Sequence, residues 1–280
     1  MYKIEEKETL APKIKKIKLK APLIAEKTKP GNFIILRVDE KGERIPLTIA
    51  EHEKETGMIT IIYQEVGYTT RKLGELEKGD YIMDIVGPLG NPINTEGYNK
   101  VVCLGGGSGT ALLYPKVKAF AREGAEVTTI TGARTKELII LEEELKEYSD
   151  NLYICTDDGS YGHEGFVTEV LEDYLLKNDE NIDLVVAIGP VLMMAAVADL
   201  TKPYNIKTIV SLNSLMVDGT GMCGGCRVTV DNETKFTCVD GPAFDGHKVN
   251  FKELNNRLSY YTDHECKIID EGGVDKDAAR

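Results

Sequence analysis

The chain has no apolar run near the roughly 20 residues needed to cross a bilayer, and nothing at its start resembles an export signal. Its first residues, MYKIEEKETL, lack the basic-then-apolar layout of such a signal. The expected location is therefore cytoplasmic. Positive charge is also short: 34 Lys and Arg stand against 46 Asp and Glu, a net charge of −12. That excludes a general nucleic-acid binder, which needs a cationic face for phosphates. No repeat and no low-complexity tract is present. Histidine is sparse, with His52, His163, His247 and His264 scattered along the chain, and these read as solvent-facing or structural rather than catalytic. A disulfide framework is excluded by the length and the missing signal. Of the six cysteines, Cys103, Cys155 and Cys266 are isolated, and the first two lie in apolar surroundings (VVCLG, LYICTD). They read as buried small hydrophobes.

What is present falls into parts. The 280 residues suffice for about two domains. Residues 1–97 read as short strands: KIKKIKLKAP, NFIILRVDE, RIPLTIAE, MITIIYQEV and DYIMDIVGPLG, rich in β-branched residues and bounded by turn residues. Only TTRKLGEL hints at a helix there. Five or six such strands predict a small antiparallel barrel. After the connection GPLGNPINTEGYN the rhythm changes. Residues 98–210 alternate strands (KVVCLGG, AEVTTITGA, NLYICTDDG, DLVVAIGP, KTIVSLN) with helices (109–124, 137–149, 165–178 and 190–205). That alternation predicts parallel βαβ units. Residues 211–265 are rich in glycine and poor in apolar residues, too small a piece to bury a core alone, so a metal centre would supply the missing stability. Residues 266–280 read as a frayed tail.

Two stretches carry chemistry. The first is LGGGSGTALLYP, which joins a buried strand to a helix. Gly105, Gly106, Gly107 and Gly109, with Ser108 and Thr110, let backbone approach a ligand, and the helix start offers free N–H groups to a phosphate. The pattern is neither a strict G-x-G-x-x-G nor a P-loop, which needs a Lys. A tight strand–helix turn is the plainer reading. Three more polar loops follow strands: TGAR with Arg134, TDDG with Asp157 and Asp158, and AIGP with Gly189 and Pro190. In an open α/β sheet all four would converge on one crevice.

The second stretch is MVDGTGMCGGCRVTVDNETKFTCVDGP, residues 216–242, holding Cys223, Cys226 and Cys238. A structural zinc or an iron–sulfur cluster wants a fourth ligand. Zinc bound by the three cysteines with His247 or Asp218 is one reading; a redox-active C-x-x-C is another.

The order of parts resembles the ferredoxin reductase-like flavoproteins. The nearer resemblance is to their iron–sulfur branch, which includes the electron-transfer subunits of dihydroorotate dehydrogenase and the small subunits of NADH-dependent reduced ferredoxin:NADP+ oxidoreductases, the electron-bifurcating transhydrogenases. It covers nearly the whole chain, from Met1 to about Tyr261. The resemblance implies FAD in the barrel, held by Pro46, Leu47 and Thr48 of ERIPLTI, with Arg44 one place earlier than the usual pattern, and by Gly67, Thr69 and Thr70 of GYTT. It implies NAD(H) on the glycine loop and AIGP. Many relatives have Cys where Ile188 stands, so no thiol helps and no catalytic side chain is expected, because the flavin itself exchanges the hydride. Arg134 would suit a 2′-phosphate and Asp157 and Asp158 would repel one; the resemblance favours NAD(H). Related subunits bind a [2Fe–2S] cluster through C-x4-C-x2-C and a distant Cys. Here the pattern is D-x4-C-x2-C-x11-C, and the transhydrogenase small subunits likewise use one Asp and three Cys. The implied ligands are Asp218, Cys223, Cys226 and Cys238. The implied partner is a larger subunit with its own flavin and [4Fe–4S] clusters, serving NADP(H) and ferredoxin. Two other readings are a dihydroorotate dehydrogenase electron-transfer subunit and a zinc-stapled nucleotide-binding subunit without redox turnover.

Overall fold

The structure, a computed structural model, describes residues 1–178 and 182–259. Cys266, His264 and the tail 266–280 lie outside the described residues, as does the end of the cysteine segment beyond residue 259.

The N-terminal part is a seven-stranded antiparallel sheet. Its strands are β1 (Tyr2–Ala11), β2 (Ile14–Lys20), β3 (Phe33–Arg37), β4 (Ile45–Glu53), β5 (Met58–Gln64), β6 (Tyr81–Ile82) and β7 (Asp84–Leu89), in the order β6-β1-β2-β5-β4-β3-β7. The two edge strands are separated by Met83 alone, so the same run of chain pairs first with β1 and then with β3. The sheet thereby curls into a nearly closed barrel, which removes its exposed edges. Strand β2 shows why it forms: Ile17 and Leu19 are buried while the intervening lysines face carboxylates, Lys16 on Glu8 at 2.8 Å and Lys18 on Glu53 at 2.7 Å. Two helices, α1 (Pro22–Lys27) and α2 (Tyr68–Glu75), decorate the barrel. The first is not expected from sequence; the second is the TTRKLGEL segment.

The second sheet has the order β11-β10-β9-β8-β12-β13-β16, from β8 (Lys100–Gly106), β9 (Glu126–Ala133), β10 (Asn151–Thr156), β11 (His163–Glu164), β12 (Leu184–Ile188), β13 (Thr208–Ser211) and, after the hairpin β14 (Arg227–Val230) and β15 (Glu233–Phe236), β16 (Ala243–Asp245). All pairs are parallel except β13–β16. Helices α3 (Gly109–Arg122), α4 (Glu142–Glu147), α5 (Val167–Asn178) and α6 (Val191–Thr201) cover the faces, and α7 (Phe251–Ser259) follows β16. The unbroken apolar runs of β8 and β12 arise because both faces are covered. Val101, Cys103, Val186 and Ile188 enter the core beneath α3. Val102, Leu104, Val185 and Ala187 enter the opposite core with α5 and α6. Burial pushes the Cys103 thiol up to about 12 and the Cys155 thiol up to about 11, consistent with both being inert packing groups.

One expected helix is shorter than its sequence suggests. Residues 137–149 read as a continuous helix, yet α4 spans only Glu142–Glu147. Leu141 takes a left-handed backbone, and Ile140 and Leu141 are buried against the α3 core. Four consecutive apolar residues, Leu138 to Leu141, cannot share one helical face, and burial overrides helix propensity.

Helix α3 also joins the two sheets. Ala111, Tyr114 and Val117 share a core with Ala11, Ile14, Ala50 and Ile62 of the barrel, and Glu51 accepts bonds from Tyr114 Oη (3.2 Å) and Lys118 Nζ (2.9 Å). The cysteine segment likewise borrows cores from both neighbours. Met216, Cys226 and Cys238 pack on Phe33 and Ile35 of β3, while Val228, Val230 and Leu254 join the α/β core. The Asn91 backbone N–H donates to Gly241 O at 2.7 Å and its side chain to Val239 O at 2.9 Å, pinning the barrel's last strand to the loop after Cys238.

Candidate metal centre and nucleotide crevice

The loop from Met216 to Cys226 lies against the barrel. A methyl group on Gly219 would meet Ile35 Cγ1 and Leu89 Cδ1 at 2.8 Å each, so the backbone there is as close to β3 and β7 as it can come. The four residues implied as ligands are arranged as two pairs. Asp218 Oδ1 and Cys223 Sγ are 3.5 Å apart, and Cys223 is exposed. Cys226 Sγ and Cys238 Sγ are 3.2 Å apart, and each is 1% exposed. Thr237 clamps the inner pair: its N–H and Oγ1 both donate to Cys226 O, at 3.1 and 3.0 Å.

Asp218 is positioned by its own loop. Its carboxylate accepts from the N–H groups of Thr220 (3.1 Å), Met222 (3.2 Å) and Cys223 (3.1 Å) and from Thr220 Oγ1 (3.3 Å). The Thr220 N–H, ahead of the other donors, holds it below the usual carboxylate range, so it is an anion at neutral pH. Burial, reinforced by the Cys226 thiol, pushes Cys238 up to about 12. Metal capture by this pair must therefore release protons.

The pairing bears on the kind of metal. Among the described residues, no group of three or more His, Cys, Asp or Glu surrounds one point. A binuclear cluster takes two protein ligands on each iron, and a partly exposed pair beside a buried pair fits that demand. His247 lies against α6, with its Nε2 3.0 Å from Thr201 Oγ1, and among the described residues it forms no group with the three cysteines.

The cysteine loop faces a cavity of about 460 Å³. Ile35, Val86 and Arg44 line it from the barrel, and Asp218, Met222 and Cys223 line it from the loop. Strand β4 carries Pro46, Leu47 and Thr48, half-buried and paired with Ile35, Ile34 and Phe33. Helix α2 starts beside this strand: Thr69 Oγ1 donates to Glu43 Oε2 at 3.3 Å. Gly67 is the cap of α2, and Thr70 Oγ1 accepts from the Val66 and Gly67 N–H groups at 3.0 Å each. The barrel therefore brings GYTT and ERIPLTI to one end, and Arg44 lines the same cavity as Asp218 and Cys223.

The glycine loop lies where the strand order reverses. Strand β9 and then β10 flank β8 on one side, β12 and β13 on the other, and ligands bind at such a switch point. Gly105 and Gly106 end β8, and Gly107, Ser108, Gly109 and Thr110 lead into α3. A methyl on Gly109 would lie 2.5 Å from Ile188 O and one on Gly106 would lie 2.6 Å from Met193 Sδ. Gly189 and Pro190 thus close the opposite wall. Thr110 Oγ1 and Thr131 Oγ1 share a buried 2.7 Å hydrogen bond, and Gly107 N–H donates to Gly132 O at 2.8 Å. Arg134 and the Asp157–Asp158 turn occupy one rim, with Asp157 N–H on Ala133 O (3.1 Å) and Asp158 N–H on Arg134 O (3.3 Å). The Asp158 carboxylate accepts from Ser160 Oγ (2.6 Å) and N–H (3.0 Å), and that hydroxyl above all lowers its pKa. Asp157 is left as the freer acid.

Sequence reasoning touched Thr131 only as the first residue of TGAR and gave no role to Asn91 or Met193. A lone threonine on the buried face of a strand is a weak signal for Thr131; the other two have none short of the fold.

Comparison with known proteins agrees with this geometry. The iron–sulfur cluster binding domain of dihydroorotate dehydrogenase B matches residues 213–250, and the oxidoreductase NAD-binding domain matches residues 103–199. A dihydroorotate dehydrogenase B (NAD(+)) electron transfer subunit homolog from Thermotoga maritima is 45% identical over 88% of this chain and 86% of its own. The corresponding subunit from Fusobacterium nucleatum is 31% identical over 86% and 94%. Among solved structures, a chain of the NADH-dependent reduced ferredoxin-NADP oxidoreductase, a structure concerned with flavin-based electron bifurcation, superposes with a TM-score of 0.91 at 42% identity over 97% of both chains. Phthalate dioxygenase reductase shares the fold at a TM-score of 0.60 and 16% identity over 82% and 85%.

A nearly closed barrel, a switched parallel sheet and an iron–sulfur binding segment define a ferredoxin reductase-like oxidoreductase that binds NAD. The chain belongs to the iron–sulfur electron-transfer subunits of that class, the family of the dihydroorotate dehydrogenase B electron-transfer subunits and of the similar chain in reduced ferredoxin-NADP oxidoreductase. Among the described residues, no helix is long and apolar enough to cross a membrane.

Proposed function

We propose that this chain is the NAD(H)-side subunit of an electron-bifurcating transhydrogenase. Its parts are a FAD-binding barrel (1–97), an NAD(H)-binding domain (98–210) and a [2Fe–2S] module (211–265). The observation that carries this reading is the pairing of Asp218 with Cys223 beside the buried pair Cys226 and Cys238, in a chain 42% identical to one of the reduced ferredoxin-NADP oxidoreductase. Bound FAD would supply two-electron hydride chemistry toward the nicotinamide and one-electron chemistry toward a cluster held by Asp218, Cys223, Cys226 and Cys238. The chain's own residues bind and orient. Pro46, Leu47 and Thr48 with the Gly67–Thr70 turn would hold the flavin, and the Gly105–Thr110 loop with Gly189 and Pro190 would hold the nucleotide. No side chain is required to move a proton in hydride transfer; positioning is what the protein supplies. The partner in this reading is a larger subunit with its own flavin and [4Fe–4S] clusters that serves NADP(H) and ferredoxin. The exposed Cys223 end of the module would face it, forming a heterodimer in the cytoplasm.

The test is spectroscopic. Protein purified without oxygen should show flavin bands, a broad iron–sulfur absorption and a reduced-cluster resonance after NADH. A colourless protein containing zinc would overturn the reading. Asp218→Ala removes a ligand and the acceptor for three loop N–H groups, so iron content should fall below about half of wild type, given the 10–100-fold affinity losses typical even of supporting residues. Unchanged content and potential would show that Asp218 is no ligand.

The 45% identical relative favours a second reading, the electron-transfer subunit of an NAD-dependent dihydroorotate dehydrogenase. The co-purifying subunit separates the two: it oxidises dihydroorotate, or it turns over NADP(H) with ferredoxin. Choice of nucleotide is testable by itself. Asp157 would repel a 2′-phosphate near Arg134, so Asp157→Asn should raise kcat/KM for NADPH relative to NADH by about tenfold, the worth of one charge–charge contact near a surface. An unmoved ratio would place the 2′ position elsewhere.

A further inference from the structure

Arg44 is the residue whose position the FAD pattern explains least. It stands one place before the usual arginine, and Ile45 occupies that place. The structure gives the displacement a consequence. Arg44 is exposed and has no ion-pair partner among the described residues. Its nearest acidic neighbour in sequence, Glu43, already accepts from Thr69. Arg44 is the one cation lining the cavity of about 460 Å³ that Asp218 and Cys223, the more exposed pair of proposed ligands, also line. The remaining barrel residues that line it, Ile35 and Val86, are apolar.

We infer that Arg44 sets the reduction potential of the cluster through its charge rather than anchoring the flavin's pyrophosphate. The inference rests on the cluster assignment proposed above. Reduction adds a negative charge to a centre already held by one carboxylate and three thiolates. A cation on a shared cavity opposes that build-up and favours the reduced state, because net charge and exposure are among the levers that set such potentials. The carboxylate end shares its cavity with Arg44, and the N–H donors to Asp218 come from its own loop. Arg44 is in this account a positioning residue that acts on the cluster by field, without ligating it. Lysine should therefore substitute for it in part, as a guanidinium-specific phosphate fork would not allow.

At an effective dielectric of about 20, one unit charge across such a cavity changes the reduced-to-oxidised ratio by about tenfold. For a single electron that is about 59 mV. The experiment is a redox titration of the full chain followed by the cluster's paramagnetic resonance, with released flavin counted in the same samples. Arg44→Gln should move the midpoint to more negative potential by about that amount, Arg44→Lys should stay within about a third of it, and FAD content should be equal in all three proteins. A midpoint unmoved in Arg44→Gln overturns the inference and leaves the cluster assignment standing. Loss of FAD with an unmoved midpoint does the same and returns Arg44 to the pyrophosphate. If Arg44→Gln fails to load its cluster, Arg44→Lys decides: a loaded cluster near the wild-type midpoint supports the charge role, and failure to load overturns it. A wild-type protein with no cluster resonance overturns both the inference and the proposed function.

Discussion

Replacing Cys226 by serine is expected to strip the protein of iron and to weaken the fold even when no metal is involved, whereas Cys223→Ser should do only the first, and incompletely. Both residues stand in the same C-x-x-C, so sequence alone treats them alike. Burial separates them. Cys226 is 1% exposed and packs with Phe33, Ile35, Met216 and Cys238, while Cys223 faces solvent. A serine hydroxyl at 226 sits among apolar groups and a thiol whose own proton is hard to remove. Leaving a buried hydroxyl poorly satisfied costs about 1–3 kcal/mol. For a chain of this size that corresponds to a melting temperature lowered by roughly 2–10 °C. At 223 the hydroxyl remains in water, where it costs nothing comparable, and its oxygen can still serve as a hard ligand beside Asp218. The measurement is iron per chain and visible absorption as purified, then thermal unfolding after chelation. Iron near zero in Cys226→Ser, partial iron in Cys223→Ser, and a lowered metal-free melting temperature only in the former are the expected results. Equal iron in Cys226→Ser and wild type would remove Cys226 from the ligand set.

How much of this was legible in the sequence depends on how local each cause is. The β8 and β12 runs, VVCLG and LVVAI, announce strands covered on both faces, and that is what they are. The glycine loop announces a close approach because four glycines within five residues destabilise any plain turn through chain entropy. The barrel's closure is less visible. It depends on Met83 letting one run of chain pair with two distant strands, and no local pattern encodes that. Helix α4 was overestimated because Glu142–Glu147 is helix-prone, while the preceding Ile140 and Leu141 are claimed by a core built from α3. The site shows the same division. The proposed ligands and their spacing are written in a single stretch, but their sorting into a partly exposed and a buried pair comes from β3 lying beneath the loop. That Arg44 shares a cavity with that loop is a product of tertiary structure, since Asp218 and Cys223 lie more than 170 positions away.

Gly109→Ala is expected to have the largest effect on nucleotide binding of any single methyl group in the crevice. The added carbon would lie 2.5 Å from Ile188 O and 2.9 Å from Gly189 Cα. Both are backbone atoms, and β12 is fixed by parallel pairing to β8 and β13, so neither can yield as a flexible side chain would. The start of α3 must lift instead. That start presents the N–H groups and the positive end of the helix dipole to the ligand, and α3 also seats the barrel through Tyr114 and Lys118. Overpacking of this kind costs about 1–3 kcal/mol of stability, and displacement of the phosphate cradle should raise the Kd for NADH by at least about tenfold, the equivalent of one hydrogen bond to a charged group. Gly107→Ala provides the contrast. Its φ of +56° makes alanine unfavourable, by about 1–2 kcal/mol, yet its methyl would meet no protein atom within 4 Å. Loss of NADH affinity at Gly107 would thus report on the ligand itself pressing against the loop, while loss at Gly109 reports on the wall behind it. Titration calorimetry with NADH, paired with thermal unfolding of each variant, measures both. Wild-type affinity in the two variants together would show that the nucleotide binds somewhere other than the point where the strand order reverses.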